Sequence, residues 1–189
     1  EQYCAVPVLG AVPRMKKDIF PMRHLGMIPY QEYEGSREAI DFLADTALAN
    51  IDISRLESVM APLPSYSPSP EADLLSLPAE RDVRIGILQD AAFQFYYPEN
   101  LSALERCGAE LVRINALADS TLPEIDGLYI GGGFPETSAR ELAANEAFRR
   151  SLKDAIDSGL PVYAECGGLI YLGSSITLDG KDYPLTGVF

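Results

Sequence analysis

The sequence predicts an α/β protein: a parallel sheet with helices on both faces, preceded by a shorter mixed piece. Three observations predict it. Beyond residue 82, short apolar runs that suit buried strands alternate with segments of helical periodicity. Two of those runs end directly in glycine-rich turns, at Gly131-Gly132-Gly133 and at Cys166-Gly167-Gly168. Five prolines, Pro62, Pro64, Pro68, Pro70 and Pro78, separate this region from the rest, serines interleaving the first four.

The residues before the prolines are the weaker half. Val6 to Val12 and His24 to Ile28 are expected as short buried strands. Ser36 can cap a helix whose Ile40, Leu43, Ala44, Ala47 and Leu48 share a face, and Asn50 closes it. A second helix follows Asp52, with Ile53, Leu56, Val59 and Met60 inward. Two weak strands and two helices make a poor independent domain. This piece is expected to be the C-terminal part of something larger, giving domains at 1–61 and 82–189 joined by a linker at 62–81.

After the linker the elements follow in order. Val83 to Leu88 is a strand. A helix starts at Pro98, turns Leu101, Leu104 and Cys107 inward and ends at Gly108. Glu110 to Ile114 and Gly127 to Ile130 are the next strands. A helical stretch from about Ser138 to Ser158 is expected to break and recap at Asn145, and Gly159-Leu160-Pro161 ends it. The strand Val162 to Ala164, a turn at Cys166 and a short helix through Leu172 complete the pattern. Gly187-Val188-Phe189 reads as the start of one more strand.

Composition bounds the function. With 47% hydrophobic and 23% charged residues, the chain has ordinary globular composition. A net charge of −13 repels a phosphate backbone, which excludes nucleic acid as an expected partner. No apolar run is long enough for a membrane span, and no signal peptide is expected. Cys4, Cys107 and Cys166 are odd in number and scattered, so neither a disulfide framework nor a metal site is expected, and the location is read as cytoplasmic.

The chemistry concentrates at two turns. A strand that stops at a cysteine and gives way to two glycines and a helix lifts the sulfur out at the carboxyl edge of the sheet. The glycines remove Cβ atoms that would crowd a substrate and leave amides for an oxyanion. A buried core residue is the commoner fate of a cysteine; the flanking Glu165 and Gly167-Gly168 favour a nucleophile at Cys166. Gly131-Gly132-Gly133 lies on the same edge and can aim further N–H groups at a developing charge. It lacks both GxGxxG spacing and a P-loop lysine, so it is a poor phosphate cradle. The four aromatics between Phe93 and Tyr97 are read as packing, or as a wall of a route or a docking surface.

A nucleophilic cysteine needs a base. The one histidine, His24, lies across the linker and is not expected to partner Cys166. The chain does not open with Met and stops inside an expected strand, so it is read as a piece of a longer protein.

The motifs Asp90-Ala91-Ala92-Phe93-Gln94-Phe95-Tyr96-Tyr97-Pro98-Glu99-Asn100-Leu101, Tyr129-Ile130-Gly131-Gly132-Gly133-Phe134-Pro135-Glu136 and Ala164-Glu165-Cys166-Gly167-Gly168-Leu169 together resemble the cobyrinic acid a,c-diamide synthase family. Val8 to Arg14 and Arg23 to Pro29 are similar to the end of that family's synthetase domain. The resemblance implies a P-loop, dethiobiotin-synthetase-like ATP domain followed by a class I glutamine amidotransferase domain of flavodoxin-like layout. It implies glutamine and a corrinoid tetrapyrrole as substrates, ATP and Mg²⁺ as cofactors of the full-length enzyme, and amidation of the a and c carboxylates on the cobalamin pathway. Cys166 would be the glutaminase nucleophile, with Gly132, Gly133 and Gly167 as oxyanion and glutamine-binding residues and Glu136 and Glu165 nearby. The family's P-loop and catalytic histidine are missing from the sequence, so the chain by itself is expected to show no amidation and negligible glutaminase activity. A homodimer is compatible with the family.

Alternatives stay open. A nickel sirohydrochlorin amidase carries the same motifs, cobyric acid synthase matches less well, and a metal-free hydrogenobyrinic acid is a possible substrate. A cysteine hydrolase or chaperone-like domain of the related peptidase fold, or a non-catalytic interaction module, are the readings from other classes.

Overall fold

The computed structural model describes residues 6–15, 19, 21, 28, 30, 33–65 and 82–189. Cys4, His24, the expected strand at 24–28 apart from Ile28, and the linker beyond residue 65 lie outside the described residues. The chain separates into two compact units, Glu1–Ser69 and Pro70–Phe189.

In the first unit, helix α1 (Ser36–Asn50) is followed by α2 (Ile53–Met60). Asp52 caps α2, its carboxylate accepting the Arg55 N–H at 2.9 Å. The cap of α1 is Gly35, one residue earlier than expected, and Ser36 is already helical. Val6 to Val12 does not form the expected strand. It meets the helices at a bridge between Gly10 and Ile51 and through the Asp52 N–H, which donates to Leu9 O at 2.7 Å. The expected inward face of α1 is also corrected: Ile40 and Leu48 are 56% and 66% exposed, and Ala39 is the buried residue. An apolar stripe is buried only where another element covers it, and among the described residues none covers this one.

The second unit is built on a four-stranded sheet, β1 (Val83–Leu88), β3 (Ala109–Ile114), β4 (Gly127–Ile130) and β6 (Val162–Ala164), ordered β3-β1-β4-β6 and parallel throughout. The order reverses at β1, which makes the carboxyl edge between β1 and β4 a topological switch point. Pairing of Leu88 with Ile114 and of Ile130 with Ala164 brings the strand ends level, so residues 89–90, 115, 131 and 165–166 gather at that edge.

Helices cover both faces. On one, Leu88, Ile114, Leu128 and Ile130 pack with residues of α4 (Ala139–Ala144), α5 (Glu146–Asp157) and α6 (Gly167–Leu172): Leu142, Phe148, Leu152, Tyr171 and Leu172. Each large apolar side chain fully buried there is worth roughly 1.5–3 kcal/mol. The break between α4 and α5 falls at Asn145. Its Oδ1 accepts the Phe148 N–H, and its Nδ2 donates to Ala116 O and Asp119 O, both at 2.8 Å. The opposite face carries Ile85 and Tyr129 and is bordered by α3 (Pro98–Arg106), which begins with Pro98 in its first turn as expected. Cys107, expected inward, is exposed. The helix ends at Arg106, and the C-cap turn into Gly108 (φ 95°) swings Cys107 off the apolar stripe.

Two features lie outside the sequence expectation. Strand β2 (Phe93–Phe95) pairs antiparallel with β5 (Gly132–Gly133), and a hairpin joins β7 (Ser175–Leu178) to β8 (Lys181–Pro184). The expected strand at Gly187–Phe189 does not form; instead Gly187 and Val188 donate to Gly173 O and Leu172 O, each at 2.8 Å, beyond the end of α6. Among the described residues no helix is long and apolar enough to cross a membrane.

Candidate active site

Cys166 stands between β6 and α6 with φ 48° and ψ −112°. That combination is adopted almost only by glycine and costs on the order of 1–3 kcal/mol. The surroundings hold it on both sides. The Glu165 N–H donates to Ile130 O at 3.0 Å, fixing the strand end, while the Gly168 and Ile170 N–H groups bond Glu165 O and Cys166 O at 2.8 and 3.1 Å. The sharp turn projects the side chain away from the sheet, and Cys166 is exposed as a free thiol.

The Gly131-Gly132-Gly133 segment arrives at the same point. A Cβ on Gly132 would lie 3.8 Å from Cys166 Cβ. A Cβ on Gly133 would lie 2.0 Å from Ala92 O, and one on Gly131 2.7 Å from Phe95 O. On the other side, Gly167 and Gly168 could carry no Cβ without approaching Gly133 O and Ile130 O to 2.6 Å. Gly131, Gly133, Gly167 and Gly168 are therefore required by close backbone crossing, whereas the Cβ position of Gly132 meets only side-chain atoms, Phe95 Cβ nearest at 3.3 Å. The Gly167 N–H opens α6, where a helical amide has no intrahelical acceptor. The structure thus brings Cys166, Gly132, Gly133 and Gly167 together at one edge. Glu136 lies further along the same loop, in the turn where the Thr137 N–H donates to Phe134 O at 3.1 Å.

Sequence reasoning missed the side chains that organise this edge. Asp90 bridges two loops: Oδ1 accepts the N–H groups of Ala92 and Phe93 at 2.8 and 3.2 Å, and Oδ2 accepts that of Ala116 at 2.7 Å. Burial raises its pKa above the ordinary carboxylate value, against the lowering effect of those N–H groups. An Asp followed by small residues directly after a strand was the available signal, an Asx turn. Tyr96, inside the aromatic run, donates its hydroxyl proton to Leu88 O and accepts the Gly131 N–H at 2.8 Å. The run itself divides: Phe93 is fully buried and Tyr97 is 70% exposed, while Phe95 meets Phe134 edge-on at 5.1 Å.

Glu165 turns to the opposite side of the sheet edge. It accepts the Tyr129 hydroxyl at 3.2 Å, and Tyr129 meets the rings of Tyr96 and Tyr163 at 5.1 and 5.3 Å. Burial, then the charge of Glu165, raises the Tyr129 phenol; at Tyr163 the Glu165 hydrogen bond and charge are the leading causes. These groups line the polar end of a cleft of about 670 Å³ whose other walls include Val83, Ala103 and Leu104.

Comparison with known proteins fits this geometry. The chain is 39% identical over 189 residues to a cobyrinate a,c-diamide synthase of Listeria innocua, covering 100% of this chain and 41% of that protein. It is 42% identical over 186 residues to the cobyrinate a,c-diamide synthase of Methanosarcina acetivorans, covering 94% of this chain and 37% of the relative. The counterpart from Archaeoglobus fulgidus is 41% identical over 187 residues, with 99% and 40% covered. The chain thus spans about two fifths of the length of the curated relatives it matches. Residues 84–189, which contain both glycine turns and the parallel sheet apart from Val83, match the CobB/CobQ-like glutamine amidotransferase domain, and the chain belongs to that family.

Proposed function

We propose that the second unit is the glutamine-hydrolysing part of a longer enzyme that amidates the a and c carboxylates of a cobyrinic-acid-type tetrapyrrole. The observation that carries this reading is the strained Cys166 at the carboxyl edge of the sheet, with the backbone of Gly132 against it. The names of the relatives support the tetrapyrrole as acceptor.

In the proposed reaction the Cys166 thiolate attacks the side-chain amide carbon of glutamine. The amide oxygen becomes an oxyanion, for which the N–H groups of Gly132, Gly133 and Gly167 are the proposed donors. The carbon–nitrogen bond breaks, the nitrogen takes a proton and leaves as ammonia, and a thioester remains on Cys166. Water then adds, glutamate leaves and the thiol is restored. The acid–base group is proposed to be a histidine of the longer polypeptide, and residues 1–61 to be the end of its synthetase domain.

ATP and Mg²⁺ do not fit the residues present. The sequence has no GxxxxGK[ST] run, and among the described residues no cluster of three or more His, Cys, Asp or Glu could hold a metal ion. No step is assigned to them in this chain.

The test uses the full-length enzyme with Cys166→Ala. Glutamine-dependent amidation should be lost, and amidation driven by added ammonium should persist near the wild-type rate. Retained glutamine-dependent turnover would overturn the reading.

A further inference from the structure

We propose that Tyr96 is the positioning residue of the amidotransferase centre, its hydroxyl tying the end of β1 to the start of the glycine segment that lies against Cys166. This rests on the glutaminase reading above and goes beyond it, because Tyr96 touches neither Cys166 nor the proposed substrate position.

The geometry runs through consecutive contacts. The Tyr96 hydroxyl donates to Leu88 O, the last residue of β1, and accepts the Gly131 N–H at 2.8 Å. Tyr129 O, on β4, lies 3.5 Å from the same hydroxyl. One oxygen thus spans the ends of two neighbouring strands at the switch point. The ring adds a steric wall, since a Cβ on Gly131 would stand 2.7 Å from ring atoms Cε1 and Cζ. Gly131 leads directly into Gly132, whose Cβ position is 3.8 Å from Cys166 Cβ. Ala92 O, at the other end of the short β2 segment, closes on Gly133. The glycine segment has no side chains of its own to hold it, so its position is set by what grips its backbone.

Burial pushes the Tyr96 phenol well above its ordinary range, so the hydroxyl remains a neutral donor throughout the working pH range. A phenylalanine would keep the ring wall and leave the Gly131 N–H without its acceptor. The segment should then lose definition where an oxyanion would be bound, and the thiol should be untouched.

The experiment compares Tyr96→Phe with Tyr97→Phe, at the exposed neighbour, in the full-length enzyme. With Tyr96→Phe, kcat for glutamine hydrolysis should fall by about tenfold or more, less than loss of an oxyanion donor itself. KM for glutamine and ammonium-driven amidation should stay within about twofold. Inhibition by glutamate γ-semialdehyde, which binds a thiol as a hemithioacetal with an oxyanion-like oxygen, should weaken by the same factor as kcat. Alkylation of Cys166 by iodoacetamide, which needs no oxyanion site, should keep its rate. Tyr97→Phe should change none of these. Unchanged kcat and aldehyde inhibition in Tyr96→Phe would overturn the proposal, as would a parallel fall in iodoacetamide reactivity. A wild type that neither hydrolyses glutamine nor binds the aldehyde would instead overturn the underlying reading, and the Tyr96 role with it.

Discussion

Gly167 lies so close to Gly133 that a Cβ on the first would stand 2.6 Å from the carbonyl oxygen of the second and 2.8 Å from Pro135 Cδ. Neither neighbour is the end of a flexible side chain, so one of the two turns must move to admit a methyl group. Gly167→Ala is expected to destabilise the second unit by on the order of 2 kcal/mol or more. Gly127→Ala is the control, because its Cβ would meet nothing closer than 3.8 Å; its effect should stay within about 1 kcal/mol. Urea unfolding of the two variants measures the gap, and equal midpoints would refute the close crossing.

The positive φ of Cys166 gives a second expectation. Cys166→Ala removes the sulfur and keeps the strain; Cys166→Gly removes both. The glycine variant should therefore be the more stable of the two by roughly 1 kcal/mol, although glycine usually loses to alanine. If alanine proves equal or better, the backbone at 166 is not strained.

Much of this was legible in the sequence, and the rest was hidden for specific reasons. Asn145 could be read as a recapping residue because its side chain satisfies a local amide, a feature of sequence-near geometry. The paired glycine turns could be read because each directly follows an apolar run. The β2–β5 pairing could not, since strands of three and two residues have no usable period. The β7–β8 hairpin did carry a signal, Asp179-Gly180 between alternating runs, with positive φ at both residues. Tyr96 looked like one more apolar residue in an aromatic run; its importance comes from Leu88 and Gly131, which only the sheet brings together.

Asp90 should reveal itself through pH. Its folded pKa is raised above 3.8, so the folded state holds the proton more tightly than the unfolded chain. The stability this contributes is complete below 3.8 and is lost as pH rises through the raised value. Asp90→Asn does not titrate, and whichever way the amide lies its NH2 group faces a backbone N–H donor at one of the two loops, a cost of about 1–3 kcal/mol. That cost, measured by urea unfolding between about pH 4 and 7, should shrink as pH rises. A cost that grows with pH would mean the carboxylate is held below its ordinary value.

The tyrosine cluster offers an optical test at the opposite end of the pH scale. Glu165 raises the phenols of both Tyr129 and Tyr163, but burial leads at Tyr129 and the carboxylate leads at Tyr163. Replacing Glu165 by Gln removes the charge and leaves the burial. In a titration of tyrosine absorbance near 295 nm, Tyr163 should then ionise close to an ordinary phenol while Tyr129 stays displaced upward. A raised phenol keeps its proton in the folded state, so its contribution to stability is present below 10.0 and is lost as pH rises through the folded value. Glu165→Gln should therefore flatten the fall in stability at alkaline pH, with Tyr163→Phe producing most of the same flattening by itself. An unchanged absorbance titration in Glu165→Gln would show that the carboxylate does not reach the two hydroxyls, and that Glu165 is free to face the Cys166 side of the edge.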